Sequence, residues 1–196
     1  MAVDFRMIVD EGRIWECVRV ADAAYGDNVR KVSGERYIVH PHLTAMHVLR
    51  FKGRSKQWLV LYYAALIHDV PEDTNFLLSK ILEIYGPLVL SLVIELTNDD
   101  VAIKKFGKLE HHKRKVRGIS SWALVIKLCD MLANLMSSPS PGQIEVIRQL
   151  VAYLLGTPET GPVRYLSKTH RAILAEIGEI LAKLSESAVA LPTGSV

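Results

Sequence analysis

Cysteine is scarce in this chain. Cys17 and Cys129 are the only two among 196 residues. A single pair cannot build a disulfide framework, and both lie in apolar periodic segments, so they read as buried free thiols of a reducing compartment. Charge of one sign is scarce too. Lys and Arg number 24 against 21 Asp and Glu, a formal excess of +3, too small to mark a nucleic-acid polymer as partner. The most apolar run, Trp58 to Ile67, falls short of the roughly 20 residues that span a bilayer, and it leads into His68 and Asp69. Asp4, Arg6 and Asp10 interrupt the opening, so no targeting signal is expected. Repeats and low-complexity tracts are absent, and strand-type alternation is weak. The expectation is a cytoplasmic protein with neither a membrane nor a nucleic-acid polymer as partner; a homo-oligomer stays open.

Core material and helical periodicity are what the chain does contain. Hydrophobic residues make up 49% and charged residues 23%, enough for one domain of this length to bury a core. Phe5, Ile8, Trp15, Val18 and Tyr25 mark an opening helix, followed by a basic loop from Gly26 to Gly34. A helix follows Pro41 and stops near Gly53. Ser55 can cap the next, which carries Leu59, Tyr62 and Leu66 and ends or kinks at Pro71, close to Val70. Val60 to Leu66 has the composition of a buried strand, but its continuity with helical apolar positions on both sides favours helix. Thr74 can cap a short helix that Gly86-Pro87 breaks, and Leu88 to Leu96 resumes. One charged helix is expected over Ala102 to Val116, and another from Ser120 or Ser121 to near Leu135. Two more follow the linker Ser137 to Gly142. The fold class expected is all-α: one helical domain over 1–184 with C-terminal supporting helices, then a flexible tail over 185–196.

Three elements carry polar chemistry. In Ala65-Leu66-Ile67-His68-Asp69-Val70-Pro71-Glu72-Asp73-Thr74 an apolar helix runs into one imidazole and three carboxylates. Burying these without partners is costly, and imidazole with carboxylate is a donor set for divalent cations. Solvated residues at a helix end are the bland alternative. In Trp122 to Leu135, Lys127, Asp130 and Asn134 share one face beside Leu124, Leu128 and Leu132; an ordinary amphipathic helix gives the same pattern. In Tyr37-Ile38-Val39-His40-Pro41, His40 is a ligand candidate or a residue at the edge of the core, and His42 and His47 are further candidates.

Together with Arg30-Lys31-Val32-Ser33-Gly34-Glu35-Arg36, Tyr85-Gly86, Glu95-Leu96-Thr97 and Ile126-Lys127-Leu128-Cys129-Asp130-Met131-Leu132-Ala133-Asn134-Leu135, these elements resemble the HD-domain phosphohydrolases of the RelA/SpoT type. They are most similar to the small single-domain hydrolases related to the metazoan SpoT homologue, over roughly residues 15 to 136. The resemblance implies a helical HD-domain fold holding one divalent ion, Mn2+, on His40, His68, Asp69 and Asp130. It implies that Glu72 and Asp73 position or activate the hydrolytic water. Arg30, Lys31, Lys127 and Asn134 are then substrate-binding, with Tyr37 in support. Its reaction is hydrolysis of guanosine 3′,5′-bis(diphosphate), releasing the 3′-pyrophosphate, within the stringent response. The partner is a small nucleotide.

The chain departs from the pattern at Met131, at Pro71, and at His111 and His112, where small relatives carry arginine and lysine. Lys105, Lys108 and Lys113 join Lys127 as candidates for a basic wall. Nothing resembles a synthetase or regulatory domain, so alarmone synthesis is not expected. The altered wall keeps another nucleotide phosphatase in play, one acting for instance on the 2′-phosphate of NADPH. A non-catalytic nucleotide-binding protein and a helical protein stabilised by its metal are the remaining rivals.

Overall fold

The chain is seen in a computed structural model that describes residues 5–30, 34–156 and 159–189. Among these the elements are helices: α1 (Phe5–Tyr25), α2 (Val39–Lys52), α3 (Trp58–Leu66), α4 (Val70–Asp73), α5 (Leu78–Tyr85), α6 (Pro87–Leu96), α7 (Asp100–Phe106), α8 (Lys108–Gly118), α9 (Ser121–Met136), α10 (Pro141–Leu155) and α11 (Lys168–Val189). Val29 and Arg36 form an isolated antiparallel bridge that pinches the basic loop at its base. No described helix is long and apolar enough to cross a membrane.

α9 is the axis of the domain. It packs against α2, α3, α6, α10 and α11. Eleven of its sixteen residues are buried, so it is apolar nearly all round, as a helix surrounded by others must be. Ser120 starts it by accepting a hydrogen bond from the Ala123 amide, which satisfies one of the free donors of the first turn. α10 begins with a full capping box between Ser140 and Gln143.

Several boundaries differ from the sequence reading. The α3 helix stops at Leu66, and residues 67–69 turn before α4. In an uninterrupted helix the Pro71 ring would press on the Ile67 carbonyl and lack the hydrogen bond to it. The chain therefore leaves the helix before that carbonyl, and His68 and Asp69 fall in the turn. Thr74 closes α4 rather than opening α5: its hydroxyl donates to the Val70 carbonyl at 2.7 Å. Ser55 accepts from the Gln57 amide at 3.3 Å, two positions too early to cap α3. α11 continues to Val189, five positions beyond Leu184, while 190–196 lie outside the described residues.

The single charged helix expected over 102–116 is two helices, α7 and α8, joined at Gly107. There φ is 82° and ψ 154°, a region open in practice to glycine alone. Gly156 ends α10 in a similar conformation, with φ 73° and ψ −172°. A Cβ on Gly156 would lie 1.6 Å from the Gly161 carbonyl oxygen, whereas Gly107 has open space around it. Gly107→Ala should therefore cost the backbone penalty alone, ~1–3 kcal/mol. Gly156→Ala should cost more, because its neighbour must also move. Urea denaturation of the two variants checks the order, and equal losses would show that the 156–161 contact yields freely.

Candidate metal centre and catalytic cleft

The break before Pro71, the first turn of α2 and the middle of α9 meet at one point. His40 lies in the first turn of α2, and α2 packs on α9. This brings His40 Nε2 to 3.0 Å from Asp130 Oδ1. His68 Nε2 lies 3.8 Å from the same oxygen. The ligand atoms of His40, His68 and Asp130 all fall within 4.8 Å of one another, and all three residues are buried. Asp69 reaches both imidazoles, with Oδ1 3.1 Å from His68 Nε2 and Oδ2 3.7 Å from His40 Nε2. His42 and His47, on the same helix as His40, are not part of this group.

The donor set fits a divalent cation. His68 Nδ1 lies 2.7 Å from the Ala65 carbonyl oxygen, which can only accept. The Nδ1–H therefore points at the backbone, and Nε2 is left to face the carboxylates. His68 Nε2 is buried with no hydrogen-bond partner, and His40 Nδ1 is another buried orphan. An imidazole held by a backbone carbonyl with its other nitrogen turned to carboxylates is the usual support of a metal ligand. Burial disfavours the His68 cation, yet Asp69 and Asp130 outweigh it and hold the pKa up, at about 9. Without a metal, a proton stands where a cation would.

Asp130 is the most heavily supported group. Burial alone would raise its pKa, but Lys127 and the two histidines hold it well below the usual carboxylate range. Lys127 Nζ donates to Oδ2 at 2.7 Å, and Asn134 Nδ2 donates to Oδ1 at 2.7 Å. Asn134 in turn accepts from Arg30 Nη2 at 2.9 Å, while Arg30 Nη1 donates to Ser137 Oγ at 2.7 Å. Lys127 and Asn134 are thus engaged with Asp130, and Arg30 ties the basic loop to the end of α9. Lys31 lies outside the described residues. Tyr37 stacks on Tyr25 with ring centroids 5.2 Å apart and donates to Asp69 Oδ2 at 3.2 Å.

A cleft of about 850 Å³ opens over these residues. Glu72 and Asp73, on the single turn of α4, line it, as do Arg30, Lys108 and His112. Burial first, and then Asp69, raises the Glu72 pKa; burial also raises that of Asp73. Lys105 and Lys113 are turned to the Phe106 and Tyr153 rings and do not line the cleft. His112 is buried, and burial with Lys127 and Lys108 beside it lowers its pKa to about 3. This part of the wall is therefore uncharged at neutral pH. One functional neighbour escaped the sequence reading. Asn98 donates from its backbone and its side chain to the two oxygens of Glu72. A contact across 26 positions between a turn and a helix leaves no periodic trace.

No family model matches the chain. Over 126 residues it is 31% identical to the guanosine-3′,5′-bis(diphosphate) 3′-pyrophosphohydrolase MESH1 of Drosophila melanogaster, a match covering 63% of this chain and 68% of that one. Human MESH1 is 35% identical over 105 residues, 52% of this chain and 55% of that one. The guanosine-3′,5′-bis(diphosphate) 3′-pyrophosphohydrolase of Borreliella burgdorferi is 26% identical over 134 residues, 62% of this chain. The chain spans only 14–18% of the length of such long bacterial relatives. Its fold is that of a solved structure from work on a metazoan ortholog of SpoT that hydrolyzes ppGpp and plays a role in starvation responses. The TM-score is 0.69 at 22% identity, over 88% of this chain and 95% of that one.

The state of His68 gives a pH dependence with a definite sign. Its pKa in the metal-free folded chain, about 9, lies above the ordinary 6.5. The stabilisation from its proton is complete below pH 6.5 and is lost as pH rises through about 9. A cation bound in place of the proton should remove that loss. Thermal denaturation from pH 6 to 10, with chelator and with excess Mn2+, should show the two curves separating as pH rises. Curves that stay parallel would count against metal and proton sharing this position.

Proposed function

Because this chain belongs to the family of the guanosine-3′,5′-bis(diphosphate) 3′-pyrophosphohydrolases named MESH1, we propose that it hydrolyses guanosine tetraphosphate to GDP and pyrophosphate, and the pentaphosphate to GTP and pyrophosphate, with one bound Mn2+. The observation that carries this reading is the placing of Glu72. Its carboxylate is held at both oxygens by Asn98, on the wall of the cleft that His40, Asp69 and Asp130 also line.

In this reading His40, His68, Asp69 and Asp130 hold the ion. The chemistry that a divalent ion supplies there is polarisation of a phosphoryl oxygen and acidification of water. Glu72 orients the attacking water and takes its proton. Asp73, beside it, completes the acidic wall. The water oxygen bonds to the phosphorus carried by the ribose 3′ oxygen. The bond between them breaks, pyrophosphate departs, and the 3′ oxygen gains a proton. Arg30 and Lys108 face the cleft as cations for the phosphates. Lys127 and Asn134 act at one remove, through Asp130. The reading carries with it a cytoplasmic protein of the stringent response.

A second substrate is favoured by one observation. The uncharged His112 on the cleft wall suits a less highly charged nucleotide such as NADPH, which would lose its 2′-phosphate.

Protein stripped with chelator and reloaded with Mn2+ should convert guanosine tetraphosphate to GDP and pyrophosphate in equal amounts, resolved by ion-exchange chromatography. Orthophosphate as the sole phosphorus product contradicts the proposed bond cleavage. Turnover of NADPH beside an untouched tetraphosphate selects the second substrate. Glu72→Gln should lower turnover by roughly 10²- to 10⁴-fold with metal content unchanged. Asp130→Ala should lose metal and activity together. Metal retained in Asp130→Ala removes that residue from the ligand set.

A further inference from the structure

The Glu72 carboxylate is held by a neighbour on the cleft wall, and that neighbour touches a residue outside the cleft. The Asn98 backbone amide donates to Glu72 Oε1 at 2.6 Å, and Asn98 Nδ2 donates to Oε2 at 2.8 Å. With its amide nitrogen committed to the carboxylate, Asn98 turns its carbonyl oxygen the other way. His111 Nε2 lies 3.3 Å from that oxygen. A carbonyl oxygen can only accept, so His111 donates from Nε2. Burial and the neighbouring Lys115 lower the His111 pKa, so a neutral ring with its proton on Nε2 serves.

His111 does not act on this segment alone. Lys115, one helical turn on and on the same face of α8, donates to the carbonyls of Leu96 at 2.6 Å and of Thr97. The Leu96 carbonyl belongs to the last turn of α6, where the helix leaves such groups unpaired. α8 thus grips residues 96–98 from behind while Asn98 grips Glu72 in front. His111 itself does not line the cleft; His112, the next residue, does.

We propose that His111 is a positioning residue: acting through Asn98, it fixes the plane of the Glu72 carboxylate that meets the attacking water. The proposal rests on the reading of Glu72 as the water-orienting base. The physical reason lies in two soft torsions. The amide plane of Asn and the carboxylate plane of Glu both turn about broad sp³–sp² bonds. Without the His111 donor the Asn98 amide can rotate, its Nδ2 leaves Oε2, and Glu72 keeps one tether of two. A base works only when its oxygen stays within about 2.6–3.2 Å of the water.

The test uses the full chain loaded with Mn2+ and the nucleotide that it turns over. His111→Leu removes the donor, and His111→Gln restores an N–H of similar reach. His111→Leu should lower kcat about tenfold, the scale of one lost hydrogen bond, with KM and metal content unchanged. His111→Gln should recover most of the loss. In a Glu72→Gln background His111→Leu should cost nothing further, whereas a merely structural role would cost the same there. Exchange of the Asn98 backbone amide, followed by NMR, should quicken in His111→Leu. Should His111→Leu fail to fold, Asn98→Ala removes the same tether from the half-exposed side and should give the same loss of kcat. Unchanged kcat, an equal loss in both backgrounds, or an unmoved Asn98 amide overturns the proposal. Full activity in Glu72→Gln alone overturns the reading of Glu72 beneath it, and is told apart by leaving the Asn98 exchange result intact.

Discussion

A carboxylate buried in the middle of the central helix is the constraint around which this molecule is arranged. Asp130 has 5% of its surface exposed. An unpaired charge at such depth costs several kcal/mol. The surrounding elements supply compensation from four directions: an ammonium and an amide from α9 itself, and one imidazole each from the start of α2 and the turn after α3. Meeting that demand draws together segments 40, 68 and 130 of the chain. The same convergence of two imidazoles and carboxylates is what a divalent cation needs.

The compensation extends outward by hydrogen bonds. Arg30 holds Asn134, which holds Asp130. Tyr37 holds Asp69, which faces both histidines. The basic loop and the start of α2 are thereby locked to the site from the two sides of one short connection. Residues that resemble substrate contacts are in part residues that keep the candidate metal ligands in place. Arg30 does both: its guanidinium is tied to α9 and still lines the cleft.

Opposite this rigid floor stands the acidic wall of α4. Glu72 and Asp73 crowd near Asp69, and burial disfavours their charges. The wall on the α8 side is mixed. Lys108 faces the cleft, His112 beside it is uncharged, and His111 and Lys115 are turned to the segment after α6. One face of α8 therefore meets the cleft, and the other supports the residue that holds Glu72.

The sequence by itself determined the helical fold and the small set of residues around which chemistry was to be sought. Helical periodicity and its punctuation are local properties, so α1 and α9 could be read from the spacing of apolar residues, and α2 and α6 from the Pro and Gly that bound them. The His68-Asp69 and Glu72-Asp73 pairs beside an apolar run, and the Lys127–Asp130–Asn134 row, were equally visible because each lies within one short segment. Local signals also failed where two of them competed. Gly107 sits inside a run of helix-favouring charged residues, and only its left-handed backbone shows that α7 and α8 are separate. The tertiary structure alone decided the partners. Nothing in spacing tells that Asp130 is also met by His40 and His68, or that Arg30 reaches a residue 104 positions away. Nor does it tell that Asn98 and His111 stand behind Glu72. Such contacts are set by how helices pack, and packing brings together side chains whose separation along the chain carries no period.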